Sequence, residues 1–247
     1  MMRLPRLENA QERLDEPRHD PAVLDADLRH IETVNRFLGG RRAALSALAS
    51  VINMTEAPSI LDVGCGGGDI PRAIAGHAAR RRLAVRIVAA DRHDQVLTIA
   101  RHRSAGRAGS ANIRFIRCEG LALPFADRSF DVVIMSLTLH HFDGDARIAV
   151  LRELARVAGR AVVINELERC WPNYMGARLL ATTVWRANTM SRHDGPISVL
   201  RAFTPAELRD DLRAAGLQDV RVERRFFYRL VAMGTPVSAK RAALATV

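Results

Sequence analysis

The 247-residue sequence is poor in cysteine, in aromatic residues and in negative charge. Its three cysteines, Cys65, Cys118 and Cys170, lie far apart, with neither paired zinc spacing nor an even count. That excludes a disulfide framework, and the thiols are expected to be reduced and structural, with no metal site. Aromatic residues make up 5% of the chain and do not interleave with its arginine clusters, so a base-stacking surface for nucleic acid is not expected. No uninterrupted apolar run approaches the roughly 18 residues that cross a bilayer. The opening 21 residues alternate charge and proline without an apolar core, so neither a signal peptide nor a membrane anchor is expected, and a cytoplasmic location follows by default.

The deficit of carboxylates leaves a formal charge of +10, with 37 Lys and Arg against 27 Asp and Glu. Clustered cations gain nucleic-acid affinity by releasing counterions. Here arginine is spread from Arg3 to Arg241, with only short clusters such as Arg80-Arg81-Arg82 and Arg224-Arg225, which argues against that partner. The length suits one sizeable α/β domain.

After a polar lead-in, Leu24, Leu28, Ile31, Val34 and Leu38 recur at helical spacing, and Gly39-Gly40 stops that helix. A second helix is expected over 41–52, making 1–57 a lead-in and an N-terminal helical cap. From residue 58 short apolar runs alternate with amphipathic segments, the pattern of a mostly parallel sheet. Strands are expected over 59–63, 85–90, 113–117, 132–135 and 161–165. The helices between them are expected over 70–77, 94–103 and 146–158, the last ended by Gly159. Residues 167–203 lack a strand pattern and read as an inserted lid or substrate segment. Thr204-Pro205-Ala206-Glu207 is a capping box. Closing strands over 218–223 and 226–233 are too close for a crossover helix and must be antiparallel. The expected fold is a Rossmann-like, doubly wound α/β domain over 58–234, with a seven-stranded sheet ending in a hairpin and a tail over 235–247.

The first strand runs into Asp62-Val63-Gly64-Cys65-Gly66-Gly67-Gly68-Asp69, followed by a helix. Glycines let the backbone turn sharply and leave no Cβ atoms against a ligand, and a helix N-terminus suits an anionic group. A dinucleotide fingerprint needs a small residue where Asp69 stands, which weakens that reading. Asp62 stands where it can accept a hydrogen bond from a ligand ammonium.

This loop resembles motif I of the class I S-adenosylmethionine-dependent methyltransferases, in which it lies along the methionine and ribose of the cofactor. Asp91, ending Ala89-Ala90-Asp91, matches the family's acidic residue that accepts both ribose hydroxyls. Cys118-Glu119-Gly120-Leu121-Ala122-Leu123-Pro124-Phe125 resembles the stretch in which Glu119 would accept the adenine amino group and Gly120 and Leu121 would line the ring. Ser129-Phe130-Asp131-Val132-Val133-Ile134 and Ser136-Leu137-Thr138-Leu139-His140-His141-Phe142 resemble the ubiquinone and menaquinone C-methyltransferase-like branch. The resemblance implies S-adenosylmethionine as cofactor and a small-molecule methyl acceptor. It places Asp62, Gly64, Cys65, Gly66, Gly68, Asp91, Arg92, Glu119, Gly120, Leu121 and Ser136 around the cofactor.

Methyl transfer from a sulfonium needs collinear positioning above all, and a general base only where the acceptor must lose a proton. His140, His141 and His193 are the candidates for that base, with Trp171, Tyr174, Trp185 and Asn188 as candidates to shape an acceptor pocket. A non-catalytic cofactor-binding module, a nicotinamide-dependent oxidoreductase and an RNA methyltransferase are the competing readings. The acceptor atom, the choice between monomer and homodimer, and the acceptor itself stay open.

Overall fold

The computed structural model describes residues 4–52 and 57–237; of the tail expected over 235–247, residues 238–247 lie outside them. Helices α1 (Pro21–Phe37) and α2 (Gly40–Ile52) precede β1 (Ser59–Val63), α3 (Asp69–Arg80), β2 (Arg86–Asp91), α4 (Asp94–Ser104) and β3 (Ile113–Arg117). Then come β4 (Phe130–Ser136), α5 (Gly144–Val157), β5 (Ala158–Leu167), α6 (Trp171–Thr182), α7 (Thr189–Arg201), α8 (Pro205–Ala214), β6 (Gln218–Arg225) and β7 (Arg229–Thr235). The strand order is β3-β2-β1-β4-β5-β7-β6, with β1 to β5 parallel and β7 antiparallel to both of its neighbours. The expected seven-stranded sheet and closing hairpin are both present.

Period-two alternation sorts the strand side chains onto two covered faces. Leu61, Val63, Val133, Met135, Val162 and Ile164 pack with Leu151 and Leu154 of α5 and Leu208 and Leu212 of α8. Ile60, Val132, Ile134 and Val163 pack with Ala44 and Leu48 of α2 and Ile70 and Ile74 of α3. Fully burying each such aliphatic side chain is worth about 1.5–3 kcal/mol, which is why these strands sit inside. Helix α1 starts where Asp20 accepts from the Ala22 and Val23 amides with Pro21 in the first turn, and it packs through Leu24 and Leu28 on Val96 and Met190. It therefore spans from α4 to α7. The capping box of α8 forms as expected, between Thr204 and Glu207.

Two local expectations are corrected. Gly159 does not cap α5: the helix ends at Val157 and passes directly into β5, where Gly159 lies against the Phe130 carbonyl. Residues 226–228 do not open the last strand but form its turn, with Phe227 and Tyr228 at positive φ. The 167–203 segment is two helices, α6 and α7, closed at its base by a bridge between Glu168 and Phe203.

Candidate active site

Parallel strands bring their C-terminal ends to one edge, and the order reverses between β1 and β4, which opens a crevice there. A cavity of about 860 Å³ occupies it. Asp62, Gly64, Cys65, Gly66, Asp91, Arg92, Glu119, Gly120, Leu121, Ser136, His140 and His141 all line this one cavity. Gly68 and His193 do not.

The loop after β1 has Gly64, Gly66 and Gly68 all at positive φ. At Gly64 the need for glycine is twofold: φ is +73°, and a Cβ would lie 2.3 Å from Thr138 Oγ1. The amides of Gly64 and Cys65 both donate to the Ala90 carbonyl at 2.9 Å, tying the loop to the end of β2. Asp91 then accepts from the Gly66 amide through Oδ2 and from the His93 amide through Oδ1, each at 3.0 Å. These bonds hold the carboxylate still, and each oxygen keeps a second acceptor site for a ligand hydroxyl. The Cys118 amide donates to the Asp91 carbonyl, which brings Glu119, Gly120 and Leu121 to the same wall. Leu121 is left 49% exposed at the rim.

Asp62 is buried, and neither of its carboxylate oxygens has a partner among the described residues. Burial, reinforced by Asp69 and Asp91, pushes its pKa well above the usual carboxylate range. A buried carboxyl without partners is costly, and a cationic donor in the cavity would relieve it. Arg229, at the start of β7, is the converse case. It is fully buried on the cavity wall, donates from Nη2 to Asn35 Oδ1 at 3.1 Å, and has Nε and Nη1 unpartnered among the described residues. Burial draws it down to about 10 against the opposing pull of Glu166 and Asp69. Asn35 in turn donates to Asp69 Oδ2 at 3.0 Å.

The far wall carries the histidines on a short 3-10 turn after β4, preceded by Leu137 at φ +52°. His140 Nδ1 lies 2.8 Å from Glu166 Oε2, and its Nε2 lies 3.5 Å from Glu12 Oε1. His141 Nδ1 lies 3.0 Å from Asp15 Oδ2, and its ring stacks on His140 at 4.5 Å. Burial would raise the Glu166 pKa, but the charge and hydrogen bonds of His140, with the charge of His141, bring it below the ordinary value. Glu166 Oε2 thus accepts from His140 Nδ1, and Nε2 is turned toward Glu12. Burial would lower the His141 pKa, but Glu12 and Asp15 more than compensate and lift it to about 9. Glu12, His140 and His141 place one ligand-type atom each within 4.8 Å of one another. A metal bound there would have to displace the His141 proton.

The other expected residues are divided between the cavity and its surroundings. His193 is corrected: α7 turns Ser191, Asp194 and Ser198 to the cavity, and His193 points off that face with Nδ1 on Asp194 Oδ1. Gly68 is covered by Arg72, Phe115 and Ala100 and shapes the turn from behind. Arg92 turns its guanidinium to Asp15 at 2.8 Å, and the Ser136 hydroxyl accepts from Asn165 Nδ2 at 2.8 Å. Trp185 lines the cavity, whereas Trp171 and Tyr174 do not, and Asn188 caps α7. Glu12, Asp15, Asn35, Glu166 and Arg229 escape a reading of the sequence. The lead-in is strapped across the cavity by the Arg13 and Leu14 amides on Asp194, a contact between residues about 180 positions apart.

Comparison with known proteins agrees with this geometry. Residues 60–160 match the family model described as a methyltransferase domain. The ubiquinone/menaquinone biosynthesis C-methyltransferase of Xylella fastidiosa (strain M23) is 29% identical over 129 residues, 52% of this chain and 50% of that protein. The demethylmenaquinone methyltransferase of Thermobifida fusca (strain YX) is 27% identical over 151 residues, 60% of this chain and 61% of that protein. A SAM-dependent methyltransferase from Aquifex aeolicus superposes with a TM-score of 0.63 at 18% identity, covering 89% of this chain and all of that one. Residues 60–160 are thus similar to a methyltransferase domain, and the fold is shared with a solved structure of the S-adenosylmethionine-dependent class. In sequence the chain is similar to the quinone C-methyltransferases, and it spans about half the length of the first of these relatives.

The cavity fits the cofactor of that class. The orphaned Asp62 lines the cavity without a partner, a Cβ at the Gly64 turn would clash with Thr138, and Asp91 has free acceptor sites.

Proposed function

We propose that this chain transfers a methyl group from S-adenosylmethionine to an oxygen or carbon of a small-molecule acceptor held in the same cavity. The observation that carries the reading is the continuity of that cavity from the partnerless Asp62 carboxylate to the His140–Glu166 pair. Asp62 takes the cofactor's ammonium and Asp91 its ribose diol, while Glu119, Gly120 and Leu121 border the adenine. Arg229 offers its two unpartnered nitrogens, Nε and Nη1, as donors to a carboxylate. The bound cofactor supplies an electrophilic methyl whose leaving group is already activated by positive charge.

The protein's part is to orient the acceptor and manage one proton. Holding the reacting atoms in line can supply about 7–11 kcal/mol of the barrier. His140 Nε2 accepts the acceptor's proton, with Glu166 holding the ring and balancing the imidazolium that forms. His141, kept cationic by Glu12 and Asp15, stabilises negative charge developing on a phenolate- or enolate-like acceptor.

The test is incubation with methyl-labelled S-adenosylmethionine and a small-molecule extract of the source organism, followed by mass detection. Label should appear on a discrete acceptor. Tight cofactor binding with no labelled product in any fraction would leave a binding module in place of an enzyme.

A further inference from the structure

We infer that the mouth of the cavity, built by α6, the β6–β7 turn and the α1–α2 turn, docks on an anionic phospholipid bilayer, from which a hydrophobic acceptor enters. The docking stands on its own observations; the entry of an acceptor rests on the methyl-transfer reading.

Trp171, Met175 and Leu179 recur four residues apart and so share one face of α6. They are exposed by 42%, 58% and 64%, and Val184 beyond the helix is equally bare. Across the mouth, Phe226 is 73% exposed and its ring follows on to those of Phe227 and Tyr228. Phe227 and Tyr228 sit at φ 58° and 54°, a region bulky side chains avoid, so the turn presents its aromatic rings at a conformational cost. Phe37, at the end of α1, is 66% exposed.

The three elements form one surface. Gly39 packs on the Phe226 carbonyl, which a Cβ there would approach to 2.8 Å. The Glu168 amide, just before α6, donates to the Tyr228 carbonyl at 2.7 Å, and Arg224 Nε donates to Glu168 Oε1 at 2.7 Å. Leu38, Leu179 and Phe227 continue inward as cavity wall. Single exposed apolar residues are ordinary, but a contiguous set that runs into a cavity marks an interface.

The charge of the surroundings selects the partner. Residues 33–52, 169–193 and 224–237 contain no Asp or Glu and carry the exposed Arg36, Arg42, Arg178 and Arg186, while Arg224 and Arg225 pair with Glu168 and Glu223. An apolar stripe flanked by arginine suits the interface of a membrane bearing anionic headgroups. A second copy of the chain fits worse, because a two-fold contact through this face would set arginine against arginine. No helix among the described residues is long and apolar enough to cross a membrane, so α6 would lie in the plane of the interface.

Sedimentation of the full chain with vesicles tests this, using phosphatidylcholine alone and phosphatidylcholine with about a third phosphatidylglycerol. The protein should bind the anionic vesicles, with a blue shift of tryptophan emission that Trp171→Phe abolishes, and release in roughly half-molar salt. Met175→Glu together with Phe226→Glu should weaken binding at least about tenfold, and Arg178→Ala about fivefold, at unchanged melting temperature. Equal binding to both vesicles, no binding, or a dimer dissolved by Met175→Glu would each overturn the proposal. S-adenosylmethionine affinity measured by calorimetry on the same samples keeps the two readings apart. Its loss with docking retained removes the methyl-transfer reading, and its persistence without docking removes only the membrane.

Discussion

The two ends of the cavity are built on different plans. The β1–β2 end is made from contiguous sequence, with glycines at positive φ, a carboxylate at each strand end and backbone amides closing on Ala90 and Asp91. The end beyond β4 gathers Glu12, Asp15, His140, His141 and Glu166 from three remote parts of the chain. The first is a rigid cradle whose specificity lies in backbone shape, and the second is a side-chain network whose properties depend on mutual charge. Substitutions should therefore damage binding at one end and turnover at the other.

The largest effect expected is from His140→Gln, which should lower turnover by about 10²–10⁴-fold while cofactor affinity stays within about twofold. Single-turnover kinetics beside calorimetry would show it, and a matching loss of affinity would blur the division between the two ends. At the cradle, Asp91→Ala should weaken cofactor binding about tenfold or more, as expected for loss of a charged hydrogen-bonding site. An unaltered dissociation constant in a folded variant would remove Asp91 from the site. Asp62→Asn should split two readouts. The ligand-free protein should gain melting temperature as a buried, partnerless carboxyl is removed, while cofactor affinity falls. A fall in both would assign Asp62 a purely structural task.

The network end should also show a pH signature. His141 has its folded pKa raised to about 9 from an ordinary value of 6.5. The stability it confers is thus complete below pH 6.5 and lost as pH rises through about 9. Melting curves of the wild type should decline across that window, and those of His141→Gln should decline less; parallel curves would mean Glu12 and Asp15 do not hold its proton. The smallest effect belongs to His193→Ala, which should move stability by less than about 0.5 kcal/mol and leave turnover unchanged, because the ring lies off the cavity.

Much of the fold was legible because its signals are local. Short apolar runs alternating with amphipathic segments located five parallel strands to within a few residues, and the short link between β6 and β7 made them antiparallel. Gly159 misled because a glycine after a helix suggests a cap, whereas here β4 needs close approach in the next strand. His193 misled because its neighbours in sequence gave no sign of which face of α7 would turn inward. The buried Arg229 was invisible for a different reason. Nothing along β7 distinguishes it from the chain's many exposed arginines until Asn35 and the α2 start close over it.

The residue order alone determined the parallel sheet, the turn after β1 and the acidic ends of β1 and β2, because those depend on side-chain alternation and on backbone angles open to glycine. Only the tertiary structure decided which carboxylates meet the histidines, which arginine is entombed and which apolar side chains are left bare at the mouth. Those outcomes depend on contacts between segments far apart in the chain, and no local pattern of residues encodes a distance in space.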